Sequence, residues 1–131
     1  MKSGSIRIAV GRIRLDLPGA ASLKEKRKVV KPLVQRLRDR FGVSAAEVGH
    51  QDVWHSAVVA VAAVGSDASE LDSLMHDVMR FATRNADAVV VDFGVEVLSV
   101  GELHVRAPAE REEATPDVEV IEQMWLGEDK G

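Results

Sequence analysis

The sequence predicts an α+β fold of the split βαβ kind, an order βαββαβ that builds a four-stranded antiparallel sheet with two helices on one face. Two observations place the helices: Ser22 with Glu25, and Asp67 with Glu70, have the spacing of a helix-capping pair, and each opens a run of apolar residues at helical spacing. A third places the strands: four short stretches around those helices either alternate in polarity or run apolar between turn residues.

Residues 5–17 read as the first strand. Ile6, Ile8 and Val10 alternate with polar or small residues, then the phase slips and Ile13, Leu15 and Leu17 continue, so a one-residue β-bulge is expected near Gly11. Beyond Pro18 and Gly19, the Ser22 hydroxyl and the Glu25 carboxylate can each satisfy a free backbone N–H at a helix start. The helix opens at Leu23, and Val30, Leu33, Val34, Leu37 and Phe41 line one face of it until Gly42 supplies a left-handed stop. Pro32 lies inside this helix, where a proline costs about 3 kcal/mol and leaves the Lys28 carbonyl unpaired. It falls opposite the apolar face, where water can reach that carbonyl. Residues 43–48 and 58–64 read as the second and third strands, joined by a hairpin connection over residues 49–55. After Asp67 and Glu70, Leu71, Leu74, Met75, Val78 and Ala82 carry a second helix to about Arg84. In the fourth strand, Val89, Val91, Phe93, Val95 and Val97 are expected to form a buried face, and Val90, Asp92, Gly94, Glu96 and Leu98 a largely wet one.

The third strand sets a condition, because residues 57–64 are apolar on both faces and two helices can cover only one. The open face is expected to meet either a second subunit, giving a homodimer, or the chain after Gly101. Residues 1–101 are taken as the domain and residues 102–131 as an acidic tail, with Pro108 and Pro116 in a mobile stretch. An apolar cluster at 118–126, which includes Ile121, Met124 and Trp125, is expected to dock on the open sheet or on a partner.

With 131 residues, 46% of them hydrophobic and 29% charged, the chain is long enough for one core and too apolar to be disordered throughout. It has no cysteine, which removes disulfides, thiolate metal sites and cysteine nucleophiles. No leader peptide is expected, since the first residues run straight into strand alternation. The longest apolar run, residues 57–64, is far short of the ~20 residues of a membrane span, so no membrane partner is expected.

Charge is unevenly spread. The chain carries −4, yet residues 24–40 hold eight basic and two acidic side chains. At ~100° per residue, Lys24, Arg27, Lys28, Lys31 and Arg38 fall on one flank of the first helix, away from the apolar stripe. Such a ribbon can track a phosphate backbone by releasing its condensed counterions. The plain alternative is a solvated helix face. The acidic tail, with nine acidic and three basic residues after Gly101, could also lie across the ribbon as an internal mimic of RNA. Base stacking on the sheet is not expected, because the first and third strands contain no aromatic residue.

Gly49-His50-Gln51-Asp52-Val53-Trp54-His55 is the chemically densest stretch. His50, Asp52 and His55 are of metal-ligand type, but no third strong ligand stands in a fixed frame with any two of them, so no metal is assigned. A polar hairpin, with Asp52 accepting backbone hydrogen bonds, is one reading; a partner-binding element of His50, Gln51, Asp52 and Trp54 is the other. No nucleophile elbow, phosphate-binding glycine loop or HExxH is present, and His76 and His104 stand alone. No enzyme activity and no cofactor are assigned.

The stretches Ser22-Leu23-Lys24-Glu25-Lys26-Arg27, Arg36-Leu37-Arg38-Asp39-Arg40-Phe41, Ala46-Glu47-Val48 and His50-Gln51-Asp52-Val53-Trp54 together resemble the YlxP-like family of small bacterial proteins of unknown function. That resemblance covers about residues 6–98 and implies a ferredoxin-like fold. It also implies a cytoplasmic protein associated with translation or ribosome maturation, with ribosomal RNA or a ribosomal subunit as partner. It brings no catalytic residue with it. Joined to the charge pattern, the expectation is an RNA- or ribosome-associated factor whose phosphate contacts are Lys24, Arg27, Lys28, Lys31 and Arg38. The alternative is a non-catalytic protein-interaction module acting as a homodimer or adaptor.

Overall fold

The computed structural model describes residues 5–84 and 87–101. Its elements run β1 (Ile6–Asp16), α1 (Leu23–Phe41), β2 (Ser44–Gly49), β3 (Ser56–Gly65), α2 (Ala68–Thr83) and β4 (Val89–Val100). The strands form one antiparallel sheet in the order β2-β3-β1-β4, the ferredoxin-like arrangement. The tail and its cluster at 118–126 lie outside the described residues.

Both helices start where the capping pairs place them. Ser22 Oγ accepts from the Glu25 N–H at 3.2 Å, and Asp67 Oδ1 accepts from the Glu70 N–H at 3.0 Å. The Glu25 carboxylate reaches one residue further back than a capping box requires, accepting from the Ala21 N–H at 2.5 Å. At the other end of α1, Gly42 adopts φ 64°, the left-handed conformation that glycine takes without steric cost, and its N–H closes on the Arg38 carbonyl at 3.0 Å. Pro32 stays within an unbroken helix, on its exposed side.

The two helices cover one face of the sheet. Ile13 and Leu15 of β1, Val59 and Val61 of β3, Leu33 and Leu37 of α1, and Met75 and Val78 of α2 are all buried there. Burying a side chain of this size contributes about 1.5–3 kcal/mol, and these residues form a single cluster.

Two expectations are corrected. No bulge stands at Gly11: β1 keeps one register with β3 from Arg7 to Asp16, and Gly11 itself is buried on the helix side. Ile6, Ile8 and Val10 are out of phase with Ile13 and Leu15 because they lie on the opposite, open face, not because the strand slips. The register shift falls instead between β1 and β4, where Arg14 pairs with Asp92 but Leu15 pairs with Val90, leaving Val91 as the extra residue. The fourth strand therefore changes phase at its start. Phe93, Val95 and Val97 pack against the core, whereas Val89 and Val91 are exposed. A second shift lies between Glu47 and Gly49 of β2.

Candidate functional site

The outward side of α1 carries four of the five cations as the 100° spacing places them. Lys24, Arg27, Lys28 and Lys31 are exposed, and none forms an ion pair among the described residues. Arg38 behaves differently. Its Nε and Nη2 both donate to the Ala45 carbonyl, at 3.0 and 2.6 Å, so its guanidinium is turned onto β2.

The neighbouring loop is organised by a residue that the charge pattern alone does not single out. Lys26 sits on the buried face of α1, in helical phase with Val30, Leu33 and Leu37, and is 1% exposed. A buried ammonium must be matched by acceptors, since an uncompensated charge there would be very costly. Its Nζ donates to the His50 carbonyl at 2.6 Å and the Val53 carbonyl at 2.8 Å, and stands 2.7 Å from Glu47 Oε2. Glu47 reaches it because Val43, Ala45 and Glu47 alternate toward the helices along β2 and its approach. Lys26 thus ties the first turns of α1 to the β2–β3 connection.

That connection is a tight turn in which the Val53 N–H donates to the His50 carbonyl at 3.0 Å. His50 has φ 57°, a strained conformation for a side chain of its size. It is held from both sides: Lys26 takes its carbonyl, and its Nδ1 lies 2.7 Å from the hydroxyl of buried Ser56. Gln51 donates to the Glu47 carbonyl at 3.4 Å. Trp54 is 49% exposed and meets the His55 ring edge-on, with centroids 5.8 Å apart. Asp52 is exposed and accepts no hydrogen bond among the described residues, so the turn is held by Lys26 rather than by an aspartate. Among the described residues no three of His, Asp and Glu stand close enough together to hold a metal ion.

The opposite face of the sheet is uncovered by any described residue. Ile6, Val10, Val64 and Leu98 are 38%, 37%, 73% and 44% exposed. Arg12 crosses this face to pair with Asp92 at 3.0 Å. No helix of the described residues is long and apolar enough to cross a membrane.

These features define a small ferredoxin-like α+β domain with a lysine-anchored turn beside a basic helix face. The chain belongs to the family described as "Protein of unknown function (DUF503)", whose model matches residues 8–95. It is 39% identical over 62 residues to "Uncharacterized protein YlxP" of Bacillus subtilis (strain 168), a match covering 47% of this chain and 67% of that protein. The residues that carry the YlxP-like resemblance in the sequence thus belong to a real family relation. Among solved structures, "De novo designed protein Foldit4" is similar with a TM-score of 0.39 at 14% identity, over 75% of this chain and 99% of that one. A likeness that loose has no bearing on function.

Proposed function

We propose that this bacterial protein is a cytoplasmic RNA-binding factor that associates with the ribosome or its RNA, and that the outward face of α1 is its contact surface. The observation that supports the reading is four exposed cations, Lys24, Arg27, Lys28 and Lys31, which form no ion pair among the described residues, on one helix of a chain whose net charge is −4. Arg38 contributes less, because two of its donors are already committed to Ala45. The loop from His50 to Trp54, fixed to the same helix by Lys26, is the element that reads shape or partner.

Four phosphate contacts on single-stranded RNA give a logarithmic salt slope near −2.8, so affinity is expected to fall about 50-fold from about 50 to 200 mM salt. The double variant Lys28→Glu, Lys31→Glu should abolish co-sedimentation with ribosomal subunits in low salt. Unchanged sedimentation would sink the proposal.

A second reading is favoured by the open sheet face. In it the protein is an interaction module whose partner on that face is a second copy of the chain. Apolar Ile6, Val10, Val64 and Leu98 supply the contact, and Arg14 and Glu96 on the same face provide opposite charges for a two-fold mate. Trp54 remains free for an adaptor role. Light scattering should then give a dimer mass that Leu98→Lys halves. A monomer mass at concentrations up to about 1 mM, where even contacts of about −4 kcal/mol would show, rules the dimer out.

A further inference from the structure

Away from the ribbon, the last turns of α1 and α2 meet around Phe41 and Phe81, whose rings pack edge to face with centroids 5.7 Å apart. Arg36 and Arg40 of α1 and Arg80 and Arg84 at the end of α2 surround this pair. They line two adjoining clefts of about 180 and 250 Å³ that share Arg40, Phe81 and Arg84. One guanidinium is answered: Arg80 pairs with Asp77. Arg36, Arg40 and Arg84 have no carboxylate partner among the described residues.

Cations at helix C-termini are ordinary, because each helix end carries roughly −0.5 of a charge. That effect is too small here. Among the described residues four guanidiniums face one carboxylate, and two helix ends add roughly one more negative charge, which leaves an excess near +2. The groove is also preorganised. The Arg40 guanidinium carbon lies 5.1 Å from the Phe81 ring centroid and 5.8 Å from that of Phe41, so cation–π attraction holds the group beside both rings, and its N–H groups donate no hydrogen bond among the described residues. Asp77 tethers Arg80 by an ion pair within α2. A compact, doubly charged oxyanion with several acceptor oxygens matches this excess and this geometry.

We propose that the groove between the C-terminal turns of α1 and α2 binds a phosphate monoester, the group carried by a mononucleotide or by the 5′ end of an RNA strand. Arg40 and Arg84 supply the central contacts and Arg36 closes one side. The site is separate from the ribbon on α1, so it stands or falls independently of backbone binding there.

The test is an NMR titration of the full chain, reading arginine Nε–H signals, with inorganic phosphate and with adenosine 5′-monophosphate against chloride at matched ionic strength. Saturable shifts are expected at Arg36, Arg40 and Arg84 with both phosphates and not with chloride. Arg40→Gln and Arg84→Gln should each weaken binding about tenfold, the loss of a charge-assisted contact, and the Lys28→Glu, Lys31→Glu variant should not. Circular-dichroism melting confirms that each variant is folded. A short RNA bearing a 5′-phosphate is then compared with its 5′-hydroxyl form: tighter binding of the phosphorylated strand identifies the RNA end as the source, and equal binding identifies the free nucleotide. Shifts equal to those from chloride, or none up to about 20 mM phosphate, overturn the proposal.

Discussion

Replacing Lys26 by methionine should destabilise the domain by about 3 kcal/mol, the low end of the cost of removing one partner from a buried ion pair. The methionine fills the same space, so the loss comes from polar groups and not from a cavity. It strands the Glu47 carboxylate and leaves the His50 and Val53 carbonyls without their donor. The low end applies because the Glu47 side chain retains 22% exposure and can recruit water. For a domain of about 100 residues the melting temperature should fall by about 12–20 °C. Adding Glu47→Met should recover part of the loss, since a buried pair replaced whole by apolar groups is often close to neutral. Hydrogen exchange at the Val53 amide should rise more than at core amides of β3, because Lys26 holds the turn that this amide closes. Equal melting of wild type and Lys26→Met would mean that the three contacts contribute nothing net. No recovery in the double variant would mean that the loss is one of packing.

Lys26 was legible in the sequence, though not by counting charge. It counts as one of eight basic residues between 24 and 40, yet it falls four residues before Val30, in phase with the apolar stripe, while Glu47 falls in phase with Val43 and Ala45. A lysine and a glutamate each at an inward position, on elements that pack together, are the signature of a buried pair. The exposure of Lys24, Arg27, Lys28 and Lys31 followed directly from helical spacing. Arg38 shares their angular position, and its turn toward Ala45 depends on where β2 lies, which no property of the helix determines. The arginine groove was hidden for the same reason. Arg36 with Arg40, and Arg80 with Arg84, are two i, i+4 pairs on separate helices, and only packing brings them around Phe41 and Phe81. Element order and the capping residues were set locally and emerged within a residue or two. The bulge was misplaced because an out-of-phase apolar run has two explanations, a slipped strand or a strand apolar on both faces, and periodicity does not separate them. The same open face explains the two-sided third strand.

Gly11 separates those explanations experimentally. If a bulge required its backbone freedom, alanine and valine there would cost about the same. The structure places it instead under α2: a Cβ at this position would stand 3.2 Å from Met75 Sδ and 3.7 Å from Phe93 Cε1. Its φ lies outside the left-handed region, so space and not backbone conformation sets the limit. Met75 is completely buried, but a thioether side chain can shift by a few tenths of an ångström. Alanine also restricts the unfolded chain, which offsets part of the crowding. Gly11→Ala should therefore change stability by less than about 1 kcal/mol, within the range of compatible glycine replacements. Gly11→Val carries two further methyl groups toward Met75 and Phe93 and should cost about 2–3 kcal/mol by overpacking. Met75→Ala made in the valine background should relieve part of that cost, because the cavity it opens lies where the valine needs room. Urea unfolding of these proteins, with Met75→Ala alone to close the double-mutant cycle, reads each value. Equal losses for alanine and valine would restore a backbone role for Gly11, and an absence of coupling to Met75 would mean that α2 does not press on β1 at this point.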